Sequence, residues 1–311
     1  MIMIVVIALV CLIVGFTNWI DKKYYPYAIW VIAISLIWHM TLISQAIVIN
    51  DNVNVGEFYV AKSVIINGYW LWDSYVFSTN TYNSVLSVTI LPPIMFYILN
   101  VSLTWIYKVI LPFIYSFIPL LVYLLSKHIS QDSKIAFLSS LLFISTWDFL
   151  RIALITKQAI ALLFFVLILI ILLKSNKLNN NIFKILLLIF GFTLTISHYA
   201  LTYLFLASLS FTLIFLKILA SSDSNKRLFN DLIRFTVIFC IFAIGWYLYI
   251  ANLVSFKAIL DILITIKGSI LEEFLNPYAS RGLFLLTKPL QGVAQYITKF
   301  LYILILFLIF L

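Results

Sequence analysis

Long apolar runs alternate with short polar stretches along the chain. A membrane crossing needs ~20 apolar residues, each rising ~1.5 Å along a helix. Residues 1–20 and 26–49 satisfy that length and are separated by the charged turn Asp21-Lys22-Lys23. Pro26 stands in the first turn of the second run, where its missing N–H costs nothing. The first long polar interruption follows at residues 50–83. Residues 85–100 are apolar but short and carry Pro92-Pro93, which remove two adjacent helix donors. This segment reads as a re-entrant or interfacial hairpin. Residues 103–125 form a span kinked by Pro112 and Pro119, and 135–147 return as a short crossing.

Beyond a turn at 147–158, residues 159–173 cross again, followed by an Asn/Lys loop at 174–184. The apolar run 185–216 is too long for one crossing and short for two. Its weak point is Ser197-His198-Tyr199, so two short helices are expected to meet there, near one face of the membrane. A basic stretch at 221–234 leads to a span at 235–252, and 253–298 is a long mixed loop. The last apolar run, 300–311, is too short to cross and reads as the start of a span cut off. The expected architecture is an all-α polytopic transmembrane bundle. It is one transmembrane domain over 1–311 with about nine membrane segments, and residues 50–102 form an external loop with interfacial helices.

Composition agrees: 64% of residues are hydrophobic and 10% charged, against about 45–50% and about 25% in soluble domains. The net charge of +9 is unevenly spread. The stretches 21–23, 127–134, 174–184 and 217–234 hold eleven of the twenty Lys/Arg and four of the eleven acids. The positive-inside rule puts that side in the cytoplasm, and the basic excess needs no nucleic-acid partner. The loop 50–83, the turn at 147–158, His198 and the stretch 253–298 are then extracytoplasmic. The expected location is the cell membrane, spanned many times. Cys11 and Cys240 each lie inside an apolar run, without disulfide or metal-site spacing.

All eleven acids fall outside the expected spans. Nothing therefore looks like a proton relay or ion path through the bilayer, where a charge marks function by its cost. Asp51, at the outer end of the second span, can serve as a general base toward an acceptor hydroxyl. Equally it can be a solvated loop acid. Glu57 is six residues on, in a segment expected to be helical until Asn67-Gly68 stops it. It is either a second acid of the site or the wet side of an interfacial helix. Trp70 and Trp72, in an aromatic cluster from Tyr69 to Tyr82, can stack on a sugar, though such rings also gather at membrane interfaces. Arg151, Lys157 and His198 can hold a lipid phosphate or pyrophosphate; long basic chains also reach headgroups by snorkelling. Asp148 together with Asp51 leaves room for a divalent cation.

Several of these pieces resemble the GT-C superfamily of integral-membrane glycosyltransferases. A span leads into an external loop with acids, then Glu57-Phe58-Tyr59-Val60-Ala61 runs to Asn67-Gly68-Tyr69-Trp70. A broken helix, Gly191 to His198, follows later. More closely, Glu57-Phe58-Tyr59, Asn67-Gly68-Tyr69-Trp70, Lys157-Gln158 and His198-Tyr199 are similar to an uncharacterised family of predicted archaeal membrane proteins related to those enzymes. The resemblance runs from about residue 49 to 249. It implies a polyprenyl-phosphate-linked sugar donor and transfer to a lipid or protein acceptor at the outer face. Asp51 would be the base and Glu57 a supporting acid, with Arg151, Lys157, His198 and Tyr199 near the lipid phosphate. Two departures stand out. The family's Asp lies four residues before its Glu, where this chain has Val53, and Lys157 occupies a place expected to hold Arg. The rival class is a transporter or lipid flippase without enzymatic activity, whose polar cavity would lie near the midplane.

Overall fold

The structure is a computed structural model in which contacts divide the chain into two compact units, 1–255 and 256–311. It describes residues 13–14, 17, 19–42, 52–70, 82–175, 178–219 and 223–250, and, in the second unit, only Ile264 and Tyr296. The expected span at 1–20 therefore lies mostly outside the described residues, as do the stretch 253–298 and the run 300–311.

All regular structure among the described residues is helical. The helices are α1 (Tyr25–Leu42), α2 (Asn52–Asn67), α3 (Leu86–Thr89), α4 (Leu91–Leu99), α5 (Leu103–Trp105), α6 (Leu111–Tyr115), α7 (Ile118–Ser130), α8 (Ser133–Ser145), α9 (Trp147–Ala153), α10 (Thr156–Leu173), α11 (Asn180–Ser197), α12 (Tyr199–Leu219) and α13 (Asp223–Tyr249). Six helical stretches among the described residues are long and apolar enough to cross a membrane: Lys22–Leu42, Leu103–Ser130, Thr156–Leu173, Asn180–Ser197, Tyr199–Ile218 and Leu228–Tyr249.

Helix α10 is the hub. Its sequence is apolar on every side, the mark of a helix enclosed by others. Ala159 and Val166 pack with Ile29, Ile37, Tyr123 and Phe137 of α1, α7 and α8. Ala161 and Ile168 pack with Leu187, Leu194, Phe205 and Phe239 of α11, α12 and α13. Ile160 faces Ala61 of α2 and Ile106 and Leu111 around the start of the Leu103–Ser130 stretch. Gly191 lets α11 approach α13 closely: a Cβ there would lie 3.1 Å from the Phe235 ring and 3.2 Å from that of Phe239.

The prolines act where the sequence says they should. Pro112 has no N–H for the carbonyl of Lys108, four residues back. A π-helical turn at Ile106–Ile110 absorbs the break, and the Thr41 hydroxyl donates to the Lys108 carbonyl at 2.8 Å instead. Trp38 Nε1 donates to the next carbonyl, that of Val109, at 3.3 Å. The Pro92-Pro93 segment is a bent helix rather than a hairpin. Both prolines sit in the first turn of α4, and helical hydrogen bonds continue through Ile90 to Leu86 and from Ile94 to Ile90.

Two expected connections turn out to be helical. Residues 147–153 form α9, whose start is capped by the Thr146 hydroxyl accepting from the Phe149 N–H. Of the basic stretch 221–234, residues 223–234 are the first part of α13: Leu232 and Phe235 bury into the core while Asp231 pairs with Lys184 of α11 at 3.1 Å. The long run at 185–216 does break at His198, the only non-helical residue between α11 and α12. Each half is long enough to cross, because α11 begins in the Asn/Lys loop and α12 continues to Leu219.

Candidate functional site

The chain order sets Trp147–Ala153, the start of α10, the α11–α12 break and the end of α13 at one end of the bundle. The α7–α8 turn at 131–132, Lys174-Ser175 at the end of α10 and the start of α13 lie at the other. The positive-inside rule predicts that the first end is extracytoplasmic.

Glu57 lies at that end, against the start of α10, and is 0% exposed. Helix α10 starts without help from its own sequence: Ile155, the residue before it, has no capping side chain. Glu57 supplies the cap from α2. The Thr156 N–H donates to Glu57 Oε2 at 2.8 Å, which also sets a carboxylate against the positive end of an 18-residue helix. The second oxygen, Oε1, is buried with no hydrogen-bond partner. Burial pushes the Glu57 carboxyl up to about 7; the Lys157 ammonium, the nearby Thr156 and Lys157 backbone N–H groups and the Thr156 hydroxyl oppose that rise without cancelling it. The backbone of Glu57 is held as well, since the Tyr107 hydroxyl donates to its carbonyl at 3.1 Å.

Lys157 follows Thr156 and is buried. Its ammonium lies 4.3 Å from the centre of the Tyr82 ring, an attraction strongest where water is excluded. Tyr82 also packs on Gly56: a Cβ there would stand 3.3 Å from the ring. One aromatic side chain thus lies over both the glycine preceding Glu57 and the head of Lys157. Neighbouring loop atoms are tied down too. Trp70 Nε1 donates to the Asn83 carbonyl at 3.1 Å and Trp246 Nε1 to the Ser84 carbonyl at 3.0 Å.

His198 fills the break between α11 and α12 in extended conformation. Its Nδ1 accepts from the Leu201 N–H at 3.2 Å, the bond an N-cap side chain makes. That bond assigns the remaining ring proton to Nε2. Burial and, secondarily, the Lys157 charge together lower the imidazole to about 4. Tyr199 stacks on the ring, with centroids 5.3 Å apart. Beneath the break, the Tyr247 hydroxyl donates to the Thr195 carbonyl at 2.6 Å and lies 3.2 Å from the Thr202 hydroxyl.

Glu57, Lys157, His198 and Tyr199 therefore share one neighbourhood, with Trp70 pinned to the loop that carries Tyr82. Asp148 and Arg151 are on α9 and exposed. Among the described residues neither makes a hydrogen bond or ion pair with Glu57, Lys157 or His198. Asp51 and Trp72 lie outside the described residues. No group of three His, Cys, Asp or Glu stands together among the described residues. Sequence reasoning did not single out Thr156 or Gly56, and it named Tyr82 only as part of an aromatic cluster suited to stacking on a sugar. A glycine inside α2, next to the acid, is the signal that could have pointed to a close packing partner.

Chemically, two helix N-termini and one ammonium converge here. That is a positive region with one carboxylate inside it and spare acceptor capacity on Oε1.

Residues 183–311 match the family described as "Predicted membrane protein (DUF2206)". The matched part takes in His198 and Tyr199 but not Glu57 or Lys157. No curated protein and no solved structure matches the chain. Over the matched stretch the chain is similar to an uncharacterised family of membrane proteins, and it is itself an all-α, multi-pass membrane protein.

Proposed function

We propose that this protein is a membrane glycosyltransferase that takes a sugar from a polyprenyl-phosphate carrier and passes it to a lipid or protein acceptor at the extracytoplasmic face. The observation that carries this reading is the convergence of Glu57, Lys157 and His198, from three separate elements, at one end of the bundle. A lipid-linked phosphate travels in the membrane and presents its charge at the headgroup level. A buried ammonium flanked by the N-termini of α10 and α12 suits that charge. Lys157 would act as a point charge rather than a bidentate clamp. Neutral His198 would donate from Nε2 to a phosphate or sugar oxygen, and Tyr199 and Trp70 would border the sugar.

Asp51 remains the proposed base, as the resemblance implies, with Glu57 supporting it. Asp148 and Arg151, exposed on α9, would meet the headgroup region, and a divalent cation is compatible with this acid set. The rival transporter reading wants its polar centre near the bilayer midplane; the charged cluster here is at helix ends.

The test is transfer in liposomes, using a panel of polyprenyl-phosphate-linked hexoses and membrane-extract acceptors. Purified protein should transfer label from at least one donor, and Lys157→Met should reduce that transfer by ~10²-fold or more, the scale of losing one transition-state charge contact. Uptake of a labelled solute with no transfer from any donor would favour the transporter.

A further inference from the structure

The site already contains an anion. Glu57 occupies the N-terminus of α10 and sits in the field of Lys157, so a bound phosphate would put two negative groups against one buried ammonium. Two anions beside one buried ammonium do not both stay charged. The geometry offers a resolution. Oε2 is engaged by the Thr156 N–H, whereas Oε1 is buried and has no partner. A proton on Oε1 leaves the Thr156 bond intact and turns the free oxygen into a donor.

We propose that the site binds its lipid phosphodiester together with one proton, carried on Glu57 Oε1, whose O–H donates to a phosphate oxygen while Lys157 provides the countercharge. This rests on the phosphate-binding reading above. The balance is simple: one proton leaves bulk water, one O–H forms on Glu57, and the occupied pocket has the same net charge as the empty one. Among the described residues, the groups facing Glu57 are Lys157 and Thr156 of α10 and Tyr107 of the π-helical turn, with Tyr82 lying over Lys157 and the adjoining Gly56. His198 acts on Lys157 and is uncharged near neutral pH; Lys62, on α2 itself, is exposed. Glu57, whose carboxyl is raised by burial to about 7, is then the group whose charge changes around neutrality.

The experiment uses the full protein in phosphatidylcholine nanodiscs and dodecyl ethyl phosphate, a diester that carries one charge throughout pH 5.5–8.5. Calorimetry at several pH values, in buffers of different ionisation enthalpy, reads affinity and proton uptake together. Wild type should bind with affinity falling toward tenfold per pH unit above about 7, and should take up close to one proton at pH 8. Glu57→Gln keeps an acceptor for Thr156 and a donor for the ligand. It should bind at every pH about as tightly as wild type does at pH 6, with no proton uptake. Nanodiscs containing phosphatidylglycerol separate the two sources of such a diester: competition marks any lipid headgroup, its absence a single-chain carrier. Wild-type binding that is independent of pH and free of proton uptake overturns the proposal while leaving phosphate binding standing. So does loss of binding in Glu57→Gln when its thermal transition is unchanged. No binding of the probe at any pH overturns both.

Discussion

Glu57 Oε2 accepts the Thr156 backbone N–H at 2.8 Å, so a side chain from one helix caps another that begins 99 residues later. This bond joins α2 to the hub helix and fixes where Lys157 starts. A cap of this kind is worth roughly 0.5–2 kcal/mol, and leaving a buried N–H unmet about 1–3 kcal/mol. Glu57→Leu should therefore lower the thermal transition in detergent by several degrees, while Glu57→Gln, which keeps an acceptor, should lower it much less. Equal losses in both variants would mean that charge, not capping, is what Glu57 contributes to folding.

The two buried titrating groups should give opposite pH slopes. The Glu57 carboxyl is raised in the folded protein, from 4.5 to about 7. The folded state then holds a proton that the unfolded state has released, so stability falls as pH rises through that window. His198 is lowered from 6.5 to about 4. There the unfolded state binds the extra proton, and stability falls as pH drops from about 6.5 toward 4. Thermal melts of Glu57→Gln should expose the His198 slope, with stability dropping on acidification. Melts of His198→Asn should expose the Glu57 slope, with stability dropping between pH 5 and 7. Parallel curves for both variants and wild type would contradict the assignment of these shifts.

Much of the fold was legible before any coordinates. The stop at Asn67-Gly68 is there, with Gly68 at φ 77°. So is the break at His198, because a run of that length could not be one span and its polar interruption was the weak point. The prolines located the kinks, since losing a donor is a local matter. Lys157 and His198 were readable as site candidates by type alone. What the sequence could not show were contacts between distant residues: Glu57 with Thr156, Lys157 with Tyr82, Thr41 with Lys108. Helical periodicity reports which face is apolar, not which partner covers it. The segments at 147–158 and 221–234 read as connections because polar residues dominate them, yet a threonine cap makes 147–153 helical and a thin apolar stripe does the same for 223–234.

The Thr41 hydroxyl should matter only because Pro112 is there. Thr41→Val removes the hydroxyl that donates to the Lys108 carbonyl, and should cost about 0.5–1.5 kcal/mol by chemical or thermal unfolding. With Pro112→Ala in the same chain, residue 112 regains a donor for that carbonyl, and Thr41→Val should cost clearly less. An additive double mutant would show that the hydroxyl and the proline act independently.

Close packing at Gly191 makes a similar pairwise claim. Gly191→Val pushes into the Phe235 and Phe239 rings and should destabilise by about 1–3 kcal/mol, the usual range for overpacking. Phe235→Ala should recover part of that loss in the double mutant. If it recovers none, α11 and α13 have another way to separate.

Orientation follows from charge. Single cysteines at Lys23, Lys134 and Lys177 should be protected from an impermeant maleimide in intact cells, and one at Asp148 should react. Labelling at Lys134 from outside would reverse the orientation of the bundle and move Glu57 and Lys157 to the cytoplasmic end.

The central claim is that Lys157 holds a lipid phosphate. The most direct measurement is equilibrium binding of a fluorescent farnesyl phosphodiester to wild type and Lys157→Met in phosphatidylcholine nanodiscs at pH 6. Methionine keeps the length and apolar stem of lysine and removes its charge, so the fold should survive, as an unchanged far-ultraviolet dichroism spectrum and a thermal transition no lower than wild type's would verify. The account predicts affinity at least ~10-fold weaker in Lys157→Met, the loss expected when a charge-assisted contact worth about 1.5–3 kcal/mol disappears. Equal affinity in the two proteins would contradict it.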